Sequence, residues 1–422
     1  MKLLIKGGRV VDPASGRDEV ADVLVADGKI SGDKSKADQT IDAKGLVVAP
    51  GLIDLAARLR EPGQEYKATL ASEMDAAVAG GVTSLACPPD THPPLDEPGL
   101  VDMLRRRAKS LSRARVYPVG ALTVKLAGER LTEMTVLAQA GCVAFSQANV
   151  PITDTQVLWR ALQYAATFGY PVWLRAEDKW LSREGVAHDG EMATRLGLAG
   201  IPAFTETIAL ASILQLVRAT GARVHICRLS SAAAVDMMRA AKKEKLPVTC
   251  DVGIHYVHLS EMDLGYYDSH CRLDPPLRSQ RDRDALAAGL ADGTIDCAVS
   301  DHAPVDEDQK QLPFAEAEPG GTGLELLLPL ALKWGAERKL PLAKSLARVT
   351  SEPARILGVQ SGRIAPGAPA DLVLFDPKEA WRVVPAALKS QGKNTPFLGY
   401  ELTGRVRVTI VAGKVIYTSA PD

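Results

Sequence analysis

Between Leu52 and Ser300 a short apolar run, rich in Val, Ile, Leu or Cys, recurs eight times, each followed by a helix-like stretch. The runs are LIDLAA from 52, VTSLAC from 82, RVYPVG from 115, CVAFS from 142, PVWLR from 171, RVHIC from 223, PVTCDV from 247 and IDCAVS from 295. Runs that stay apolar instead of alternating suit strands covered on both faces, and the segments between them are long enough for crossover helices. Eight such units predict an α/β fold built on a (β/α)8 TIM-like barrel. Two of the helices are sharply bounded. ATLASEMDAAVAGG (68–81) spaces its apolar residues helically and stops at a glycine pair, and the segment 154–171 starts at Asp154 and stops at Gly169 and Pro171.

The two ends follow another rhythm. ADVLVADGKI (21–30) and VRVTIVAGKVIY (406–417) each read as an alternating strand, a turn through Gly-Lys and a second strand, and GAPADLVLFDP (367–377) adds one more short strand. They predict a small discontinuous β-sandwich domain built from both termini, residues 1–51 plus 360–422, beside a barrel spanning 52–359. The alternative is a pair of unrelated hairpins.

Composition narrows the function classes. The chain has 422 residues, 46% of them hydrophobic, and 50 Lys+Arg against 51 Asp+Glu, so its net charge is -1. Near-neutral charge without long single-sign runs offers no nucleic-acid or membrane surface. The start, MKLLIKGGRVVDP, is interrupted by Lys6 and a glycine pair before a signal-peptide core forms, and no apolar run approaches the ~18 residues of a membrane span. A cytoplasmic protein is expected. Its six cysteines are widely spaced with no C-x-x-C pair, which suits reduced core thiols. AEPGGTGLE (317–325) lacks the Lys-Ser/Thr of a P-loop, no G-x-G-x-x-G follows a strand, no G-x-S-x-G is present, and Cys227 has no evident base partner in the sequence. Phosphate or dinucleotide cofactors and covalent hydrolysis are therefore not expected.

Seven segments in order, APGLIDLAARLREPG, GGVTSLACPPDTHPP, RAEDKWLSREG, LGLAGIPAFTE, VHICRLSSAAAVDMMRAAK, DPPLR and DGTIDCAVSDHAP, resemble the dihydroorotases of the amidohydrolase superfamily across essentially the whole chain. The resemblance implies two zinc ions at the carboxyl ends of the barrel strands in catalytic members. Where those members carry a first-strand H-x-H, this chain has Ala56 and Arg58; further histidine ligands fall at Arg175 and Arg228. An acidic ligand belongs to an S-D-D-G segment that here reads Ser146, Gln147, Ala148, Asn149, while the aspartate opening DHAP survives as Asp301, followed by His302. Methyl and guanidinium groups present no lone pair to zinc. If the three arginines converge, a divalent ion about 4 Å from one guanidinium meets roughly 8 kcal/mol of repulsion at an effective dielectric of about 20. A replacement site from Glu177, Asp251 and Asp301 is then disfavoured, and those carboxylates are expected to pair with the arginines. The arginine implied to hold the substrate carboxylate remains as Arg60, but an implied asparagine has become Asp90, where a second carboxylate would repel. The P-H-H near the seventh strand reads Ile254, His255, Tyr256.

These departures, with the resemblance, imply a catalytically inactive dihydroorotase-like chain. It would hold no zinc and no other cofactor, and its residues Ala56, Arg58, Arg60, Asp90, Ala148, Arg175, Arg228, Asp301 and His302 would mark a vestigial site. The implied role is that of a non-catalytic subunit accompanying bacterial aspartate carbamoyltransferase in pyrimidine biosynthesis, itself a homo-oligomer within a larger complex. The alternative is an active, metal-independent cyclic-amide hydrolase with Asp301 as base and the arginines as oxyanion stabilisers. The pair His255 and His258, with no Glu between them, reads as incidental. His225 and His302 read as barrel supports, and His92, His188 and His270 carry no spacing signal.

Overall fold

The computed structural model describes residues 2–32 and 37–419; of the expected terminal unit, residues 1, 33–36 and 420–422 lie outside the described residues. The amino-terminal strands are β1 (Lys2–Asp12), β2 (Arg17–Ala26), β3 (Lys29–Ser31), β4 (Gln39–Asp42) and β5 (Val47–Pro50). All eight apolar runs then form strands: β6 (Leu52–Asp54), β7 (Val82–Cys87), β8 (Arg115–Ala121), β9 (Ala144–Ser146), β10 (Val172–Arg175), and, after a two-residue pair β11 (Ala187–His188) and β12 (Gly200–Ile201), β13 (Val224–Cys227), β14 (Val248–Gly253) and β15 (Cys297–Val299). The chain closes with β16 (Leu372–Arg382), β17 (Glu401–Val411) and β18 (Lys414–Thr418).

Strands β6 to β10 and β13 to β15 lie side by side in chain order, all parallel, as an eight-stranded sheet that curls into a nearly closed barrel. Alternation sorts their side chains. Leu52, Leu85, Val172, Leu174 and Ala298 pack outward with the helices, whereas Ile53, Ala86, Val119, Trp173, Cys297 and Val299 form a separate inner cluster.

The seam between β15 and β6 is closed mainly by polar groups. The buried Asp54 carboxylate accepts the backbone N–H of Ser300 at 3.0 Å and of Ala56 at 3.3 Å, and the Ser300 hydroxyl as well. Just beyond the strand ends, Arg58 N donates to the His302 carbonyl at 2.9 Å and His302 N to the Ala56 carbonyl at 3.0 Å. Those bonds place Arg58 and Asp301 at one rim of the barrel.

The helices begin and end where their caps dictate. The helix Leu70–Ala79 starts at a capping box between Thr69 and Ser72, and Thr155–Phe168 starts where the Asp154 carboxylate accepts from Gln156 N and Val157 N, ending at Gly169 with φ 71°. At the termini, β5 pairs antiparallel with β16 (Val47–Pro50 against Leu372–Phe375), so strands from both chain ends share one eight-stranded sheet. That sheet has its own core of Leu3, Ile5, Val10, Val25, Leu374 and Ile410.

Glu73, fully buried on the helix Leu70–Ala79, ties the barrel to the segment joining β16 and β17. Its carboxylate accepts from His302 Nε2 at 2.6 Å, Ser390 Oγ at 2.6 Å, Gln391 N at 3.0 Å and Ser72 Oγ at 2.8 Å. Gly323 N donates to His302 Nδ1 at 3.2 Å, so the ring proton sits on Nε2, facing Glu73. Burial pushes the Glu73 carboxyl up, but the hydrogen bonds from His302 and the serine hydroxyls outweigh it and hold it below its ordinary value. A depressed carboxyl contributes stability that is present above its unfolded-state value and lost as pH falls through its folded one. Glu73→Ala is expected to cost about 3–5 kcal/mol in urea unfolding at neutral pH, and that cost should shrink as the pH is lowered below about 4.

Candidate active site at the barrel mouth

The site is built on strand ends that turn sharply. Arg60, Ala148, Arg228 and Asp301 all adopt left-handed backbone, with φ of 61°, 50°, 56° and 46°. Such conformations cost non-glycine residues of order 1 kcal/mol or more each and persist where surrounding bonds over-determine them. Here Ser146 Oγ accepts from Ala148 N at 3.0 Å and Asp251 Oδ1 from Arg228 N at 2.7 Å.

The side chains so aimed converge. Arg58 donates through Nε to Asp90 Oδ2 at 2.7 Å, through Nη1 to Asp301 Oδ1 at 3.4 Å and through Nη2 to Asn149 Oδ1 at 2.9 Å. Arg228 reaches the same Asp301 oxygen at 3.2 Å, the Asp274 carbonyl at 3.1 Å and the Asn149 amide oxygen. Arg175 grips Asp274 with both terminal nitrogens, each at 2.5 Å, and lies 2.5 Å from Glu177. Asn149 Nδ2 donates to Asp274 Oδ2 at 3.1 Å, which joins the two halves. Arg58, Arg228 and Asp301 are buried, whereas the side chains of Asp90 and Asp274 keep 23% and 27% exposure and form the open side of the mouth. Ala56 and Ala148 bring only methyl groups to the rim.

Each charge responds to this packing. Burial pushes the Asp301 carboxyl up, and the Arg228 and Arg58 charges only partly offset it. For Asp90, burial is outweighed by the charge and hydrogen bond of Arg58 together with Arg60 and Arg228, leaving its carboxyl below the usual range. Asp274 is likewise held down against burial, chiefly by Arg175. Arg228 is held more firmly protonated, because Asp301 and Asp274 outweigh its own desolvation.

Several residues stand elsewhere than the sequence suggests. Arg60 donates to the Pro304 carbonyl at 2.8 Å and to Gln64 Oε1 at 3.0 Å. Asp90 meets a guanidinium instead of a facing carboxylate. His302 turns to Glu73, away from the arginines. His255, read as incidental, lies with Nε2 4.0 Å from Asp301 Oδ2; that nitrogen is buried and makes no hydrogen bond among the described residues. Burial, reinforced by Arg228, lowers its pKa to about 3, so the ring is neutral. Tyr256 donates to the Pro275 carbonyl at 2.6 Å. Asp274, which anchors Arg175, was carried in the DPPLR motif without a role assigned to it.

Below the mouth, a second group went unread. His225 and Cys227 share a face of β13, and Asp251 stands beside them on β14; one donor atom from each lies within 4.8 Å of the others. His225 Nε2 is 2.8 Å from Asp251 Oδ2, and its Nδ1 is 2.8 Å from Thr249 Oγ1. The H-x-C spacing on a strand was the available signal, since positions i and i+2 point the same way. Cys227, which has no base partner in the linear sequence, therefore has His225 and Asp251 beside it, although burial raises its pKa well above the ordinary thiol value.

A dihydro-orotase-like family model matches residues 45–234 and an amidohydrolase family model residues 183–417. The chain is 43% identical over 428 residues to a "Dihydroorotase-like protein" of Pseudomonas aeruginosa, covering 99% of this chain and 100% of the relative. It is 42% identical over 422 residues to a "Dihydroorotase" of Geobacter sp., covering 99% of each. Among solved structures, L-hydantoinase (dihydropyrimidinase) from Arthrobacter aurescens superposes with a TM-score of 0.89 at 25% identity, covering 99% of this chain and 96% of that one.

Two expectations are corrected by these findings. The expectation that the chain is no enzyme is overturned by relatives of matching length whose names, dihydroorotase and hydantoinase, are those of enzymes. The expectation of no cofactor is overturned by the family, whose members typically use zinc, and by the His225, Cys227 and Asp251 group. The rim positions and the set Glu177, Asp251 and Asp301 do not make up this donor group, which lies in the lumen one layer below. With both family models and full-length relatives in agreement, the chain belongs to the dihydroorotase-like amidohydrolase family.

Proposed function

We propose that this protein hydrolyses a cyclic amide at the barrel mouth, with Asp301 as the proton acceptor. The observation that carries the reading is Asp301 itself: a buried carboxylate with a raised pKa, flanked by two guanidinium groups and a neutral imidazole. A carboxylate raised toward working pH is a better general base. Asp301 takes a proton from water as the water oxygen adds to the ring carbonyl. Negative charge grows on the carbonyl oxygen, which Arg58 and Arg228 face with permanent positive charge. The ring C–N bond then breaks and the proton held on Asp301 passes to the departing nitrogen, giving a free N–H and a carboxylic acid that loses its proton to solvent. Entry is from the side of Asp90 and Asp274, where a substrate anion competes for Arg58 and Arg175.

His225, Cys227 and Asp251, an imidazole, a thiol and a carboxylate, are the residues that would hold a zinc ion. Zinc held there would supply a Lewis acid beneath Asp301. Asp301, Arg58 and Arg228 keep the roles given above.

A second proposal concerns assembly. The aspartate carbamoyltransferase partner comes from the family resemblance, and the exposed apolar side chains Trp180, Ile208 and Val150, which line a groove of ≈ 140 Å³, offer a surface on which a partner protein could seat. A cytoplasmic setting accords with six free cysteines and with the finding that, among the described residues, no helix is long and apolar enough to cross a membrane.

Three measurements check these readings. Purified protein should open the ring of dihydroorotate, dihydrouracil or hydantoin, and Asp301→Asn should lower the rate by about 10²-fold or more; absence of turnover on all three, with and without added zinc, overturns the reading. Elemental analysis should find zinc that is lost in Cys227→Ser while the fold, followed by circular dichroism, is retained; equal zinc in both proteins removes it from that group. Mixing with aspartate carbamoyltransferase of the same organism should give a larger species on size exclusion, abolished by Trp180→Glu; an unchanged elution removes the partner.

A further inference from the structure

A cavity of ≈ 430 Å³ lies where the chain after β6, the chain after β15 and the segment joining β16 to β17 meet, and its wall includes Lys67, Lys310, Lys393, His270, Asp306 and Glu307. Arg58, Arg175, Arg228 and Asp301 are not part of that wall, so the cavity is distinct from the mouth.

Three lysines, a histidine and two carboxylates line the cavity. Lys67 is committed to Glu318. The other two lysines are held by backbone carbonyls: Lys310 donates to Ser269 at 3.0 Å and Arg272 at 3.2 Å, and Lys393 to Leu388 at 2.7 Å and Ser390 at 2.5 Å. A protonated lysine has three donors, so one N–H of each remains beyond these two bonds; burial lowers the Lys310 pKa to about 7, and an anion beside it favours the charged form. Lys310 is only 6% exposed, an unusual place for a lysine without a carboxylate bonded to it. In the same wall, His270 Nδ1 is buried and has no hydrogen-bond partner among the described residues. A buried lysine without a carboxylate partner and an imidazole nitrogen left unanswered line one space, and both are groups an anion can engage.

We propose that this cavity binds a small ligand bearing an oxyanion group, a carboxylate or a phosphate, seated between the ammonium groups of Lys310 and Lys393 with His270 as a third donor. The anion completes the bonding of all three side chains and stabilises the protonated form of Lys310.

The test titrates malonate, inorganic phosphate and sulfate into the full-length protein at low ionic strength by calorimetry, with chloride as control. At least one of the three should bind, weakened about tenfold or more in Lys310→Met, as expected for removal of one charge-assisted bond, and measurably in Lys393→Gln. Tighter malonate assigns a carboxylate ligand, and tighter phosphate and sulfate a phosphate. Lys393 is only half-buried, so Lys393→Gln decides the matter if Lys310→Met does not fold. No binding by any of the three, or binding of unchanged affinity in Lys393→Gln, overturns the proposal.

Discussion

The mouth of this barrel depends on mutual neutralisation. Arg58, Arg175 and Arg228 carry three positive charges into a rim that also holds Asp90, Glu177, Asp274 and Asp301, and no one of these charges is buried without an opposite charge in contact. At 3 to 4 Å and an effective dielectric of about 20, each contact contributes roughly 4–5 kcal/mol of Coulomb energy, comparable to the cost of desolvating the ions. The balance explains why Asp301 can stay inside and still be raised: its two guanidinium neighbours also serve Asn149, Asp90 and Asp274, so neither is devoted to it.

Position follows from the barrel seam. β15 and β6 are not laddered to each other, and Asp54, Ser300, Ala56 and His302 bridge the gap with backbone and side-chain bonds. The same bonds fix the start of the two loops that carry Arg58 and Asp301. Glu73 holds His302 from outside, so the terminal segment around Ser390 is coupled to the rim through two residues. Left-handed backbone at Arg60, Ala148, Arg228 and Asp301 stores strain where the side chains must turn inward, and the hydrogen bonds to Ser146 and Asp251 hold it.

Much of the barrel was legible because burial on both faces writes an unbroken apolar run, and eight such runs leave few architectures. Helix limits at Asp154, Gly169 and the Gly80–Gly81 pair were legible for a similar local reason, a side-chain cap at one end or a glycine at the other. The rim arginines were legible from position within the family motifs. Asp274 and His255 were not, because a residue some hundred positions from Arg175 becomes its partner only when the loop after β14 folds over the mouth. The lumen group was not legible from the rim motifs, because His225 and Cys227 lie a layer deeper, on the strand that leads into Arg228.

By itself the sequence determined the family, the eight barrel strands, the limits of two helices and the replacement of rim imidazoles by guanidinium and methyl groups, all of which are properties of local residue type and order. Tertiary structure alone decided which carboxylate faces which arginine, which way His302 turns, that Asp301 is raised while Asp90 and Asp274 are lowered, and that three donors meet in the lumen. Those outcomes rest on distances of a few ångströms between residues far apart in the chain and on how deeply each charge is withdrawn from water.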